Sequence, residues 1–367
     1  MPRGRLQPTR RPPAEGRRLK KKKTFRAVGG WRPAKVQMGR GLDVGTTFIY
    51  CAQKRDSEVN FKTQRNAFFD IERSEFTENI LKGSKIKHIL GQDKINVVGE
   101  DAVKFANVFA RDTRRPLRNG IISPEEEEAL PIVEAIIKSV LGLPSEPGEI
   151  CYYSVPGPPV DADFDIIYHQ NIIRGFLEKR GYTPKPINEG LAVVFSELGE
   201  NDFTGMGISL GGGMANVCLA IMSIPIFSFS VVKAGDWIDE QVARATNTPV
   251  TKVTTFKENS LNLRKSEANM SKMEQALSIY YDYLIEYILE EIVKGMGRVS
   301  NLPKFEKPIP IIIAGGTPSP SGFLERFKQR LGRIRFPLEV REVRLAPHPL
   351  YTVAKGTLIA AIAESRR

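Results

Sequence analysis

Cysteine and histidine are both scarce in this chain, three of each in 367 residues, and each scarcity excludes something. Cys51, Cys151 and Cys218 are widely spaced, form no Cys-x-x-Cys pair and leave an odd count, so no disulfide framework is expected. Each sits in an apolar segment and reads as a small buried hydrophobe in a reducing cytoplasm. His88, His169 and His348 are just as scattered, and no metal cluster is suggested. A secretory leader is not expected, since no apolar h-region stands near the start. Long apolar runs are lacking too. The most hydrophobic stretch, 207–232, is broken by Gly211–Gly213 and Pro225, and strands explain it better than a membrane span.

Acidic residues are nearly absent from one region. Residues 1–37 hold thirteen Lys/Arg against one acid, Glu15, so this tail accounts for the whole net charge of +12 and the body is neutral. The body is therefore not a basic nucleic-acid surface. The tail, with Lys20–Lys23 at its densest point and few large apolar residues, is expected to be disordered. It could contact an anionic membrane or nucleic acid. The alternatives are a solvated extension, or an over-long gene model whose natural start is Met38.

What is present is an alternation of strands and helices punctuated by glycine. Gly41–Gln53 reads as strand, Gly-Thr-Thr turn, strand, with the carboxylate of Asp43 just before the turn. Met206–Ala220 reads as strand, three-glycine turn, strand, and Ile224–Val232 as a further strand. Pro308–Gly316 reads as a buried strand into a double-glycine turn. Residues 54–92 look polar and mixed, Ile95–Gly99 is a short strand, Glu100–Ala110 a short helix, and Arg114–Ile122 a connector. Ser123 and Pro124 suit a helix start, Glu125–Glu128 would load its dipole, and Pro131 should bend the helix or shift its beginning. Ile150–Val155 is a buried strand. Helices are expected at about 161–180, 189–198, 236–246, 251–259, 267–299, 321–331 and 349–363. Two hairpin-then-helices units imply two similar α/β lobes.

Glycine turns of this kind either punctuate hairpins or wrap phosphates with bare N–H groups. Taken in order, the carboxylate before Gly45-Thr46-Thr47, the triplet Gly211–Gly213 and the late Gly315-Gly316 resemble the actin-like ATPase superfamily of actin, sugar kinases and heat-shock chaperones. The resemblance is strongest to the bacterial actin homologue MreB. Gly99–Ile122 (GEDAVKFANVFARDTRRPLRNGII) is similar to its "G-x-x-A … RP-x-x-G-x-I" segment. Pro186–Val193 (PINEGLAV) resembles the start of the helix carrying its hydrolytic glutamate, and Lys233–Val242 (KAGDWIDEQV) its AGD-x-x-DE element. The similarity spans roughly 38–363.

The resemblance implies a ribonuclease H-like fold: two lobes around a nucleotide cleft, each with a small subdomain. The expected division is 38–203 plus 332–367 for the first lobe (small subdomain 57–92) and 204–331 for the second (small subdomain 236–290). It implies ATP with Mg²⁺ in the cleft. Asp43 would order the metal's waters, and Gly45, Thr46, Thr47 and Gly211–Gly213 would contact phosphate. Gly235 and Asp236 would approach the ribose, Gly315, Gly316 and Thr317 the base, and Lys257 the purine. Glu189 would orient the attacking water, although an acid early in a helix is also favoured by the dipole alone.

One motif departs from the family. Its second phosphate hairpin normally reads D-x-G-G-G-T-T, whereas here Ser209 stands for the aspartate and Met214 and Ala215 for the threonines. Losing one well-placed group commonly costs about 10²–10³ in rate. The expectation is thus a cytoplasmic, MreB-like protein that binds ATP or ADP, hydrolyses ATP slowly or not at all, and self-associates into filaments serving cell shape or intracellular organisation. The alternatives are a pseudo-ATPase scaffold or, with less support, a small-molecule kinase of the same fold.

Overall fold

The computed structural model describes residues 39–366 apart from Ala110, Pro124, Glu127 and Asn301. The basic tail, Met38 and the helix-starting role given to Pro124 lie outside the described residues.

The first lobe opens with an antiparallel meander, β1 (Arg40–Val44), β2 (Phe48–Arg55) and β3 (Glu58–Arg65). A small three-stranded sheet follows, made from β4 (Phe68–Glu72), α1 (Glu75–Gly83), β5 (His88–Leu90), β6 (Lys94–Val98) and α2 (Glu100–Phe109). It keeps an apolar cluster of its own around Phe69, Leu81, Ile95 and Val97. A two-residue ladder between β7 (Leu117–Arg118) and β8 (Ile121–Ile122) leads into α3 (Ala129–Leu141). The lobe continues with β9 (Ile150–Val155), α4 (Ile167–Lys179), β10 (Thr183–Asn188) and α5 (Glu189–Glu197).

The second lobe begins with another meander, β11 (Gly205–Leu210), β12 (Ala215–Ile221) and β13 (Ile224–Val231). Helices α6 (Gly235–Thr246), α7 (Val250–Asn259) and α8 (Lys272–Gly297) come next, then β14 (Ile309–Ala314), α9 (Phe323–Leu331), β15 (Val340–Leu345) and α10 (Thr352–Ser365). A capping box between Ser271 and Glu274 fixes the start of α8.

The two main sheets share one connectivity. In order they are β10-β9-β1-β2-β3 and β15-β14-β11-β12-β13. In each, the meander is antiparallel and the two later strands join in parallel beside the first. This is the α/β architecture of two like lobes. Between the sheets, α10 lies against β1, β2 and β9 while α5 lies against β11 and β12. The two helices meet at Gly356, where a Cβ would come within 1.8 Å of the Ala192 carbonyl oxygen, so no other residue fits.

Several expectations need correction. The stretch 54–92 holds strands and a helix that its composition hides: β3 is a charged strand at the sheet edge with few buried positions. The helix expected from residue 161 starts only at Ile167, and the extended piece before Pro186 is a parallel strand. Ser123 does not cap α3, which begins at Ala129 with Pro131 in its first turn, where a missing N–H costs nothing. Glu126 and Glu128 instead pair with Arg114. In the second lobe the helices expected at 236–246 and 251–259 are α6 and α7, while the one expected from residue 267 starts at Lys272.

Candidate functional site

The turns β1–β2 and β11–β12 face each other across the gap between the lobes. Both close tightly, through Gly45 N donating to Phe48 O at 3.1 Å and Gly211 N donating to Met214 O at 2.9 Å. Their tips nearly touch. A Cβ at Gly212 would lie 2.6 Å from Thr47 Oγ1, and one at Gly213 would lie 2.3 Å from Thr46 Oγ1 and 2.6 Å from Gly120 N. Glycine is thus required by the opposite turn as well as by any ligand. Next to the tips is a cavity of about 310 Å³. Asp43, Gly45, Thr46, Thr47, Glu189, Ser209, Gly211, Gly212, Gly213, Asp236, Lys257, Gly315, Gly316 and Thr317 all line it. Gly235 does not. It sits behind the wall, its N–H on Gly211 O at 3.2 Å and its carbonyl taken by Lys257.

The acidic end of the cavity is built by three strands and a helix start. Asp43 on β1 is buried, and Ser154 on β9 donates to its Oδ1 at 2.8 Å. Burial pushes its carboxyl up to about 6, against the pull of that hydrogen bond. Glu189 is the first residue of α5, whose N-cap Asn188 accepts from Leu191 N. Ser209 on β11 donates to Glu189 Oε2 at 3.0 Å. Desolvation and then the negative charge of Asp43 raise Glu189, while Ser209 and Asn216 act the other way. Among the described residues neither Asp43 nor Glu189 forms an ion pair, so two carboxylates share a low-dielectric wall without a compensating cation. A divalent ion would relieve that tension, and the bare N–H groups of the facing turns suit the oxygens of phosphate. The residues present therefore fit a metal-bound phosphate.

The opposite end is shaped by the β14 turn. Gly315 has φ +98°, and its N–H donates to Pro349 O at 3.0 Å. Thr317 Oγ1 donates to Gly211 O at 2.7 Å, tying this turn to the glycine triplet, and the buried Tyr281 hydroxyl donates to Thr317 O at 3.0 Å. Lys257 also lines the cavity. Its Nζ contacts Asp239 Oδ2 at 2.8 Å and donates to Gly235 O at 2.8 Å, so its charge is already engaged. Thr254 also donates to Asp239, whose carboxyl is raised by burial despite Lys257. Asp239, Thr254, Glu258, Tyr281 and Leu350 line the cavity and escaped sequence reasoning. Only Asp239 carried a signal, as the second acid of the AGD-x-x-DE element.

Arg115 was also missed. From the 114–120 connector its Nη1 donates to both carboxylate oxygens of Asp236 at 2.9 Å, joining positions 121 residues apart. The same connector receives Met214, which would lie 2.5 Å through its Sδ from a Cβ placed at Gly120. Met214, the residue that replaces a family threonine, is thus a buried contact between the second glycine turn and the first lobe.

Comparison with known proteins bears on both fold and family. No curated protein matches the chain in sequence. Among solved structures, the MamK double helical filament superposes with a TM-score of 0.67 at 15% identity, covering 88% of this chain and 98% of that one. MreB5 of Spiroplasma citri bound to AMPPNP gives 0.62 at 13% identity, covering 90% and 97%. Ethanolamine utilization protein EutJ from Carboxydothermus hydrogenoformans gives 0.54 at 15% identity, covering 92% and 93%. At these identities the likeness shows the fold, which is that of the actin-like ATPases. The family model named Volactin matches residues 38–361, nearly all of the described chain. The chain therefore belongs to the volactin family and has the two-lobed, MreB-like actin fold.

Proposed function

We propose that this protein binds ATP with Mg²⁺ between its two glycine turns, hydrolyses it slowly or not at all, and assembles into cytoplasmic filaments that serve cell shape or intracellular organisation. The observation that carries the reading is convergence: Asp43, Glu189, both turns and the Gly315–Thr317 turn, drawn from both lobes, border one cavity. Nucleotide-bound MreB5 and filamentous MamK, similar in fold, support it. In this reading the first lobe comprises 38–203 with α10, its small subdomain being the β4–α2 unit at 68–109. The second comprises 204–345, since β15 joins its sheet and not the first lobe's as expected, with the small subdomain at 236–290.

Asp43 would hold Mg²⁺ through water, and the metal supplies charge neutralisation at the phosphates. Gly45–Thr47 and Gly211–Gly213 bind phosphate through backbone N–H and threonine hydroxyls. Asp236, with Gly235 behind it, stands on the ribose side, and Gly315–Thr317 beside the base. Lys257 acts by fixing the Gly235 carbonyl. Glu189 orients water or accepts its proton from the cavity wall, held there by the Ser209 hydroxyl. Ser209 supplies one hydroxyl to Glu189 and no charge, which is why turnover is slow.

The Ser209–Glu189 hydrogen bond also favours a second reading, a pseudo-ATPase scaffold or adaptor whose nucleotide is static or absent. Phosphate release separates the two. Release that disappears in Glu189→Ala supports slow hydrolysis, and none from the wild type supports the scaffold. Failure of MgATP both to shift the melting temperature and to drive sedimentable assembly would remove the main support for the first reading and leave the scaffold.

A further inference from the structure

The second lobe's turn from Val232 to Asp236 is gripped at both ends by the first lobe. At its start Asp161, with a side chain only 8% exposed, accepts Val232 N at 2.8 Å and the Tyr287 hydroxyl at 3.2 Å. Lys233 Nζ lies 3.9 Å from the same carboxylate and 3.9 Å from the centre of the Tyr287 ring. At its end Asp236 takes Arg115, and Asp236 N donates to the carbonyl of Gly212 at 2.8 Å.

The two grips differ in kind. Asp161 is enclosed, satisfied by a backbone amide and a hydroxyl, and shut off from the cavity. Arg115 and Asp236 keep 31% and 32% of their side-chain surface, use a single guanidinium nitrogen, and Asp236 faces the cavity. The pair is part-buried and borders the cavity, so it is more open to solvent than the enclosed Asp161 grip. Of the two grips, the one at Arg115 is therefore the more readily released.

We propose that the Arg115–Asp236 pair is a latch across the cleft that sets how fast a nucleoside triphosphate enters and leaves, acting on rates in both directions. The proposal rests on the nucleotide reading of the cavity. As a latch closed with or without ligand, it changes exchange without changing affinity. A direct phosphate ligand would do the reverse.

Two measurements on the full chain test it. In stopped flow with a fluorescent ATP analogue and Mg²⁺, Arg115→Ala is expected to raise association and dissociation rates together, roughly five- to tenfold as for loss of one partly exposed ion pair, with Kd within about twofold. Arg115→Lys, which keeps the charge on a differently shaped and shorter head group, should fall between. Without nucleotide, spin labels on exposed Ser84→Cys and Lys252→Cys report the gap between lobes, the native cysteines being buried. Arg115→Ala should lengthen and broaden that distance. An unchanged distance, unchanged rates, or a weakened Kd with an unchanged association rate would overturn the latch. If the wild type binds no analogue while the label distance still widens, the nucleotide reading fails and the latch survives.

Discussion

Ser209 Oγ donates to Glu189 Oε2 at 3.0 Å, at the position where the family resemblance places a carboxylate instead of a hydroxyl. Restoring the family residue is therefore not a simple gain. Ser209 is 3% exposed, and an aspartate there would meet Glu189 and Asp43 as a third acid without a cation. Ser209→Asp is expected to destabilise the ligand-free protein by about 2–4 kcal/mol. MgATP should return much of that loss. Melting temperatures with and without MgATP check it; an equal fall in both conditions would mean the new carboxylate meets no metal.

Glu189 makes ligand-free stability depend on pH in an unusual direction. Burial and Asp43 raise its folded pKa to about 8, above the unfolded value of 4.5. The folded protein thus holds this proton more tightly than the unfolded chain does. Its contribution is complete below the unfolded value and is lost as pH rises through about 8. Glu189→Gln, which cannot ionise, should flatten the decline by about 1–3 kcal/mol between pH 5 and 9. Urea unfolding of both proteins across that range is the check, and parallel curves would count against it.

The glycine triplet should show a graded response to alanine. A Cβ at Gly211 meets the Met214 carbonyl oxygen at 3.1 Å, a mild crowding. At Gly212 it meets Thr47 Oγ1, the end of a side chain that can turn away. At Gly213 it meets both Thr46 Oγ1 and the Gly120 backbone nitrogen, which cannot. The expected order of damage to stability is Gly211→Ala, then Gly212→Ala, then Gly213→Ala, with the last costing about 2 kcal/mol or more. Measured unfolding free energies in another order would show that the turns are not in contact as described.

Much of the fold was legible because its central strands carry their own signal. Residues of β1, β11 and β14 are buried along their whole length and end in glycine turns, so apolar runs and punctuation located them. Edge strands gave no such signal. β15 (VREVRL) and β3 (EVNFKTQR) each bury only one residue, and their charges read as loop. The carboxylates and glycines of the site were legible through motif order. Glu258 and Tyr281 were not, and Arg115, though part of the RP-x-x-G-x-I segment, gave no sign of its partner Asp236, because such placements depend on how distant segments meet. Met214 shows the same limit: in sequence it is a missing threonine, and in the structure a contact with Gly120.

Calorimetric titration of the wild-type protein with MgATP, repeated on Asp43→Ala and Gly213→Ala, tests whether the two turns form a phosphate clamp. One saturable site per chain is expected in the wild type. Both variants should bind at least tenfold more weakly, a loss of about 1.4 kcal/mol or more. Wild-type binding left intact in both variants, or no binding to the wild type at all, would contradict a phosphate clamp formed by the two turns.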